Sequence, residues 1–177
     1  DYYGDPHAEH VIVAMGSAIE TIAETVGWIN ARGGKVGVIA VRLFLPFDAA
    51  AFRAALPASV RSIAVLDRTK EPGAVGEPLY LDVRAAIDEA MEDDEPPFAV
   101  APRVIGGRYG LSSKDFTPPM VAAVFAELAA PRPRREFTVG IVDDVTHLSL
   151  APVDIEVARS PGQVQALFFG LGSDGTV

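Results

Sequence analysis

The residue types that chemistry needs are gathered in a few short stretches. Asp67-Arg68-Thr69-Lys70-Glu71-Pro72-Gly73 mixes carboxylates, cations and a hydroxyl. Gly106-Gly107-Arg108-Tyr109-Gly110-Leu111-Ser112-Ser113-Lys114 joins glycines, which let a backbone approach closely, to the charges of Arg108 and Lys114 and to two serine hydroxyls. That set suits an anion. Gly16-Ser17 closes an apolar run and offers free backbone N–H groups where a helix should begin, another arrangement that can hold an anion. Asp143-Asp144-Val145-Thr146-His147 sets two carboxylates beside an imidazole.

Each stretch also has a plainer reading. Ser17 and Glu20 stand at capping-box spacing, which spends both side chains on the helix itself, and the glycine fingerprint of dinucleotide sites is absent. The Asp67 loop serves equally as a self-paired surface loop or as a contact to another domain, and the Gly106 loop as inter-domain packing. Adjacent carboxylates point in different directions and the other histidines, His7 and His10, are distant in sequence, so Asp143 and Asp144 read as turn residues. There is no HExxH, no nucleophile elbow and no cysteine nucleophile. Nothing here is a self-contained catalytic site.

Composition narrows the classes further. The 177 residues are 49% hydrophobic and 22% charged, enough for one core that buries roughly 70% of the unfolded surface without staples. With no Cys, the chain lacks the thiolates that iron–sulfur clusters and most structural zinc sites use. A net charge of −9 with no basic run beyond Arg134-Arg135 repels phosphate backbones and anionic membranes, so neither nucleic acid nor membrane is expected as a partner. No apolar stretch approaches the roughly 20 residues of a membrane span, and no signal peptide opens the chain, which points to a cytoplasmic protein. The start without Met and the closing glycine turn suggest an excerpt of something longer.

The elements that must position these residues alternate. Val11–Gly16, Val36–Val41, Ile63–Leu66 and Val104–Gly107 are short apolar runs of the kind buried on both faces of a parallel sheet. Between them fall helical patterns: Ser17 to Arg32, closed by Gly33-Gly34; Asp48 to Leu56, ended by Pro57; and Gly76 to Met91. A last helix opens at Thr117 with two prolines in its first turn and stops before Pro131. The pattern predicts a three-layer α/β/α domain with a mostly parallel sheet of four to five strands. Residues 1–130 form that body, and 131–177, beginning with the stiff Pro131-Arg132-Pro133-Arg134-Arg135, form an extension and linker. In it, 137–141 and 164–169 are apolar enough for strands.

Taken in order, Val11–Ser17 with Glu20-Thr21, Val41–Phe47, Ala64–Gly73, Gly76–Val83, Gly106–Lys114, Asp143–His147 and Gly170–Val177 closely resemble pyruvate:ferredoxin (flavodoxin) oxidoreductase, over essentially the whole chain. The resemblance covers a portion of that multidomain enzyme, after its pyrimidine-binding domain, and implies a transketolase C-terminal-like fold. It implies an enzyme that uses thiamine diphosphate with Mg²⁺, iron–sulfur clusters, ferredoxin or flavodoxin, and coenzyme A, and that forms a homodimer. Thiamine and cluster ligands of the family lie in other domains, so this chain alone holds no cofactor and is expected to be inactive. The first expectation is therefore a structural and inter-domain module, with Asp67, Arg68, Lys70, Arg108 and Lys114 at the domain contact. Gly172, Ser173, Asp174, Gly175 and Thr176 are expected to form one wall of the coenzyme A site, since the glycines permit a nest of N–H groups flanked by hydroxyls, although Asp174 repels phosphate. The alternatives are the same domain of another 2-oxoacid oxidoreductase and a free-standing nucleotide-binding α/β protein.

Overall fold

The computed structural model describes residues 1–94, 96–111 and 114–157, with positions 162, 164, 166 and 167 beyond them. The strands are β1 (Tyr2–Gly4), β2 (His10–Met15), β3 (Val36–Val41), β4 (Ser62–Asp67), β5 (Arg103–Tyr109), β6 (Glu136–Val139) and β7 (Ser149–Leu150). The helices are α1 (Ala18–Asn30), α2 (Ala49–Ala55), α3 (Pro78–Glu92) and α4 (Pro118–Ala129). The strands form one sheet in the order β1-β3-β2-β4-β5-β6-β7, parallel except for β1, which runs antiparallel to β3.

The three-layer, mostly parallel architecture is present, but the sheet has seven strands, where four to five were expected. The additional strands are short and lie toward the two edges. β1 has three residues and β7 two, too few for a hydrophobic period to register. β6, assigned from sequence to the extension, pairs in parallel with β5, its Phe137 opposite Gly107. Of the strand pattern at 164–169, positions 165, 168 and 169 lie outside the described residues, and 164, 166 and 167 are not in a strand.

Alternation along the central strands divides the core. Ile12, Ala14, Ala64, Leu66, Ile105 and Tyr109 pack under α1 and α4. Val11, Val13, Ile63, Val65 and Val104 pack under α2 and α3. Gly107 is required by this packing: a Cβ there would overlap the Phe137 ring and Leu66.

Candidate functional site: the carboxyl edge of the sheet

The chain starts the parallel sheet at β2, moves outward to β3, then crosses back to β4 and continues to β5 and β6. The strand order reverses beside β2, and at such a reversal the loops leaving the carboxyl ends diverge and open a crevice. The crevice is present, with a volume of about 240 Å³, lined by Ser17, Ala18, Thr21, Arg68, Tyr109, Lys114, Asp115 and Phe116.

Its walls follow from local chemistry. Gly16 takes φ +71° and its carbonyl accepts from the Ile19 N–H at 3.3 Å, so the backbone turns into α1 before Ser17. Ser17 is already helical (φ −67°, ψ −18°) and makes no capping bond. The expected capping box is therefore not formed, because a residue in helical geometry cannot fold its hydroxyl back onto the first turn, and Ser17 lines the crevice instead. Opposite it, the Tyr109 hydroxyl donates to the Met15 carbonyl at 3.2 Å and the Tyr109 and Phe116 rings pack 4.8 Å apart. Burial pushes the Tyr109 phenol above its ordinary range, so the hydroxyl keeps its proton as a strut. Arg68 enters from β4, its Nε donating at 3.0 Å to the carbonyl of Gly110, which sits at φ +64°.

The five charged residues expected at a domain contact separate by the twofold alternation of the strands. The Asp67 and Gly106 loops do lie at the same end of adjacent parallel strands, with Asp67 in register with Arg108. Asp67 itself is 2% exposed, and its two carboxylate oxygens accept the N–H groups of Leu79 and Tyr80 at 3.1 Å each. It holds the start of α3 and has no free oxygen for a partner, which removes it from the surface set. Desolvation raises its pKa, against the lowering by the two N–H donors. Arg108 is also turned inward, 3.7 Å from Glu77, with both side chains largely buried. Arg68 and Lys114 come together in the crevice. Lys70 lies with Arg108 along a second groove, bordered by the loop from Ile141 to Leu148.

That loop shows what the Asp143-Asp144 pair does. Asp143 accepts the N–H groups of Val145 (3.1 Å) and Thr146 (2.9 Å) and the Thr146 hydroxyl. These donors, the Thr146 hydroxyl first, hold its carboxyl far below the usual range. Ser149 Oγ closes the loop, donating to the Ile141 carbonyl at 2.6 Å and accepting from the Asp143 N–H at 2.8 Å. Asp143 is turn chemistry, and among the described residues no cluster of His, Asp and Glu is placed to hold a metal ion. Among them also, no helix is long and apolar enough to cross a membrane. Gly172 to Thr176 lie outside the described residues.

Sequence reasoning missed Thr21, Tyr109 and Asp115 as crevice residues, since their approach depends on how α1 and α4 pack across β4. It also missed the exposed leucines of the loop after β3. The available signal was Leu43-Phe44-Leu45-Pro46-Phe47, an apolar run with neither strand nor helix periodicity.

Fold and crevice together define a doubly wound α/β domain whose polar loops collect at the carboxyl edge. Comparison with known proteins narrows this. Residues 8–112 match the family described as pyruvate:ferredoxin oxidoreductase core domain II, and the chain belongs to that family. It is 60% identical over 177 residues to a pyruvate-flavodoxin oxidoreductase of Rhodospirillum rubrum and 59% identical to a probable one of Escherichia coli. It is 56% identical to the pyruvate:ferredoxin oxidoreductase of Moorella thermoacetica. Each match covers all of this chain and 15%, 15% and 14% of the relative, so the chain spans about one seventh of the length of these relatives. A solved 2-oxoglutarate:ferredoxin oxidoreductase from Magnetococcus marinus, with 2-oxoglutarate, coenzyme A and succinyl-CoA bound, aligns at a TM-score of 0.48 and 21% identity. That alignment covers 72% of this chain and 19% of the other.

Proposed function

We propose that this chain is a non-catalytic structural and inter-domain module of a thiamine diphosphate-dependent pyruvate:ferredoxin (flavodoxin) oxidoreductase. In that cytoplasmic enzyme pyruvate and coenzyme A yield acetyl-CoA and CO₂, and the electrons pass to ferredoxin or flavodoxin. The observation that carries the reading is the match of the entire chain to a small fraction of pyruvate-flavodoxin oxidoreductases. The absence of Cys supports it, since cluster ligands must then come from elsewhere in the polypeptide. Because β6 and β7 continue the sheet, the body takes in residues 131–150 as well as 1–130, and 151–177 lead toward the next domain. Arg68, Lys70 and Lys114 form no ion pair among the described residues and are the cations that pair with carboxylates of another domain in this reading, whereas Arg108 and Asp67 are engaged internally.

Gly172 to Thr176 supply one wall of the coenzyme A site in this reading. Two experiments test it. The purified chain should be colourless and should not reduce a viologen dye with pyruvate; reduction would overturn the non-catalytic assignment. In the full-length enzyme, replacing Ser173 and Thr176 together by Ala should raise the apparent KM for coenzyme A several-fold while pyruvate decarboxylation persists. An unchanged KM removes the coenzyme A assignment.

A further inference from the structure

The large apolar side chains that reach solvent are not spread evenly. Leu43 and Leu45 (68% exposed each), Val75 (73%), Val142 (92%) and Val145 (83%) all stand in loops that leave the carboxyl ends of β3, β4 and β6. Among the other described residues, Val100 in an amino-edge loop and Val164 and Leu167 beyond β7 have comparable exposure. Exposed apolar groups gathered on one side of a folded body mark an interaction surface more often than chance exposure does.

These loops are also held in place. Asp143 and Ser149 bind the backbone on either side of Val142 and Val145. Asp48 caps α2 through the Ala51 N–H at 2.9 Å, and the Phe47 and Phe52 rings pack 5.6 Å apart, which fixes the chain after Leu43 and Leu45. Beside them is a hollow of about 270 Å³ with an apolar wall of Leu43, Phe47 and Phe52 and the charges of Asp1, Arg42 and Asp48 at its border. Fixed apolar anchors lose little entropy on association, which is what a docking face requires.

We propose that the carboxyl edge is the docking face for another domain of the same, longer polypeptide, with these leucines and valines as its anchors. This rests on the inter-domain reading above and adds the apolar contacts that the charged residues alone do not provide. The occupant follows from the chain's share of its relatives: at about 15% of their length, most of such a polypeptide lies outside this body. A domain tethered in the same chain meets the face at an effective concentration that free partners do not reach. From β3 to β6 the edge spans roughly 19 Å, the scale of an inter-domain contact.

The test uses the full-length enzyme. Leu43→Cys, Val145→Cys and Val100→Cys are labelled with a maleimide and read by peptide mass spectrometry. Leu43→Cys and Val145→Cys should react at least tenfold more slowly than Val100→Cys; equal rates overturn the proposal. In unsubstituted enzyme, hydrogen exchange at 42–47 and 141–148 should be slower than at 98–101, and the reverse order also overturns it. Photo-cross-linking from Val145→Cys in enzyme co-assembled from ¹⁴N- and ¹⁵N-labelled chains, so that mixed oligomers are present, identifies the occupant. Cross-links within one isotopic chain support it, and cross-links between the two isotopic populations assign the face to a second copy and refute it. None of these readouts involves coenzyme A kinetics, so loss of the docking face leaves the coenzyme A assignment to its own test.

Discussion

The two edges of the sheet handle charge in opposite ways. At the amino edge Glu9 stands 3.7 Å from Lys35 and 3.4 Å from Arg61, with both cations well exposed. Close by, His10 Nδ1 meets the Ser62 hydroxyl at 2.7 Å, and that hydroxyl reaches the Leu128 carbonyl at 3.4 Å. At the carboxyl edge Asp67 and Arg108 turn inward to serve α3, and valines and leucines face out beside the exposed Arg42–Asp1 pair and the cations Arg68, Lys70 and Lys114. Water solvates ion pairs well, so an edge that meets water can carry them on its tips. An edge that meets protein gains by placing its charges where they are satisfied internally and leaving apolar tips to be covered.

The largest expected effect tests the inward-turned charge. Asp67→Ala leaves the buried N–H groups of Leu79 and Tyr80 without acceptors and should cost about 3 kcal/mol, read by urea unfolding. A loss no greater than that of an exposed carboxylate would remove the contrast between the edges. Gly107→Ala, on the same half of β5, should cost about 2 kcal/mol, because the new methyl meets the Phe137 ring and Leu66, neither of which can swing away. The same measurement on Phe137→Leu,Gly107→Ala should recover part of that loss.

The edges should also titrate in opposite senses. Burial raises the Asp67 pKa above 3.8, so its contribution to stability is complete below 3.8 and is lost as the pH rises through the raised value. Burial lowers the His10 pKa below 6.5, so its contribution is present above 6.5 and is lost as the pH falls through the lowered value. Unfolding free energy followed against pH should therefore lose one slope in Asp67→Asn and the other in His10→Gln. The smallest effect belongs to the solvated edge: Glu9→Ala should cost about 0.5 kcal/mol, a difference that fades in high salt. A larger, salt-insensitive loss would mean that this edge too is built for burial.

Much of this was legible from residue order, and what was not has physical causes. The four central strands and four helices were readable because their apolar runs extend over four or more residues and most of their stops are Gly or Pro. Asp48 as the cap of α2 and the prolines opening α4 were readable from local chemistry. β1 and β7 were not, since strands of two or three residues are defined by the neighbour they bond to. Asp67 and Arg68 are adjacent and looked alike on paper, but strand alternation sends one under α3 and the other into the crevice. The capping box failed for a similar reason: spacing was right, but Gly16 had already made the turn.

The lone antiparallel strand has a further consequence. β1 is tied to β3 at both ends, the Ala40 N–H donating to the Asp1 carbonyl at 2.8 Å and the Asp5 N–H to the Val36 carbonyl at 3.1 Å. It thereby occupies the backbone groups of an otherwise long, apolar, aggregation-competent strand and replaces them with a three-residue border. On the opposite flank β7 does the same with two residues. Among the described residues, such short borders are poor templates for a stranger's β-strand and give the sheet little to grow on sideways.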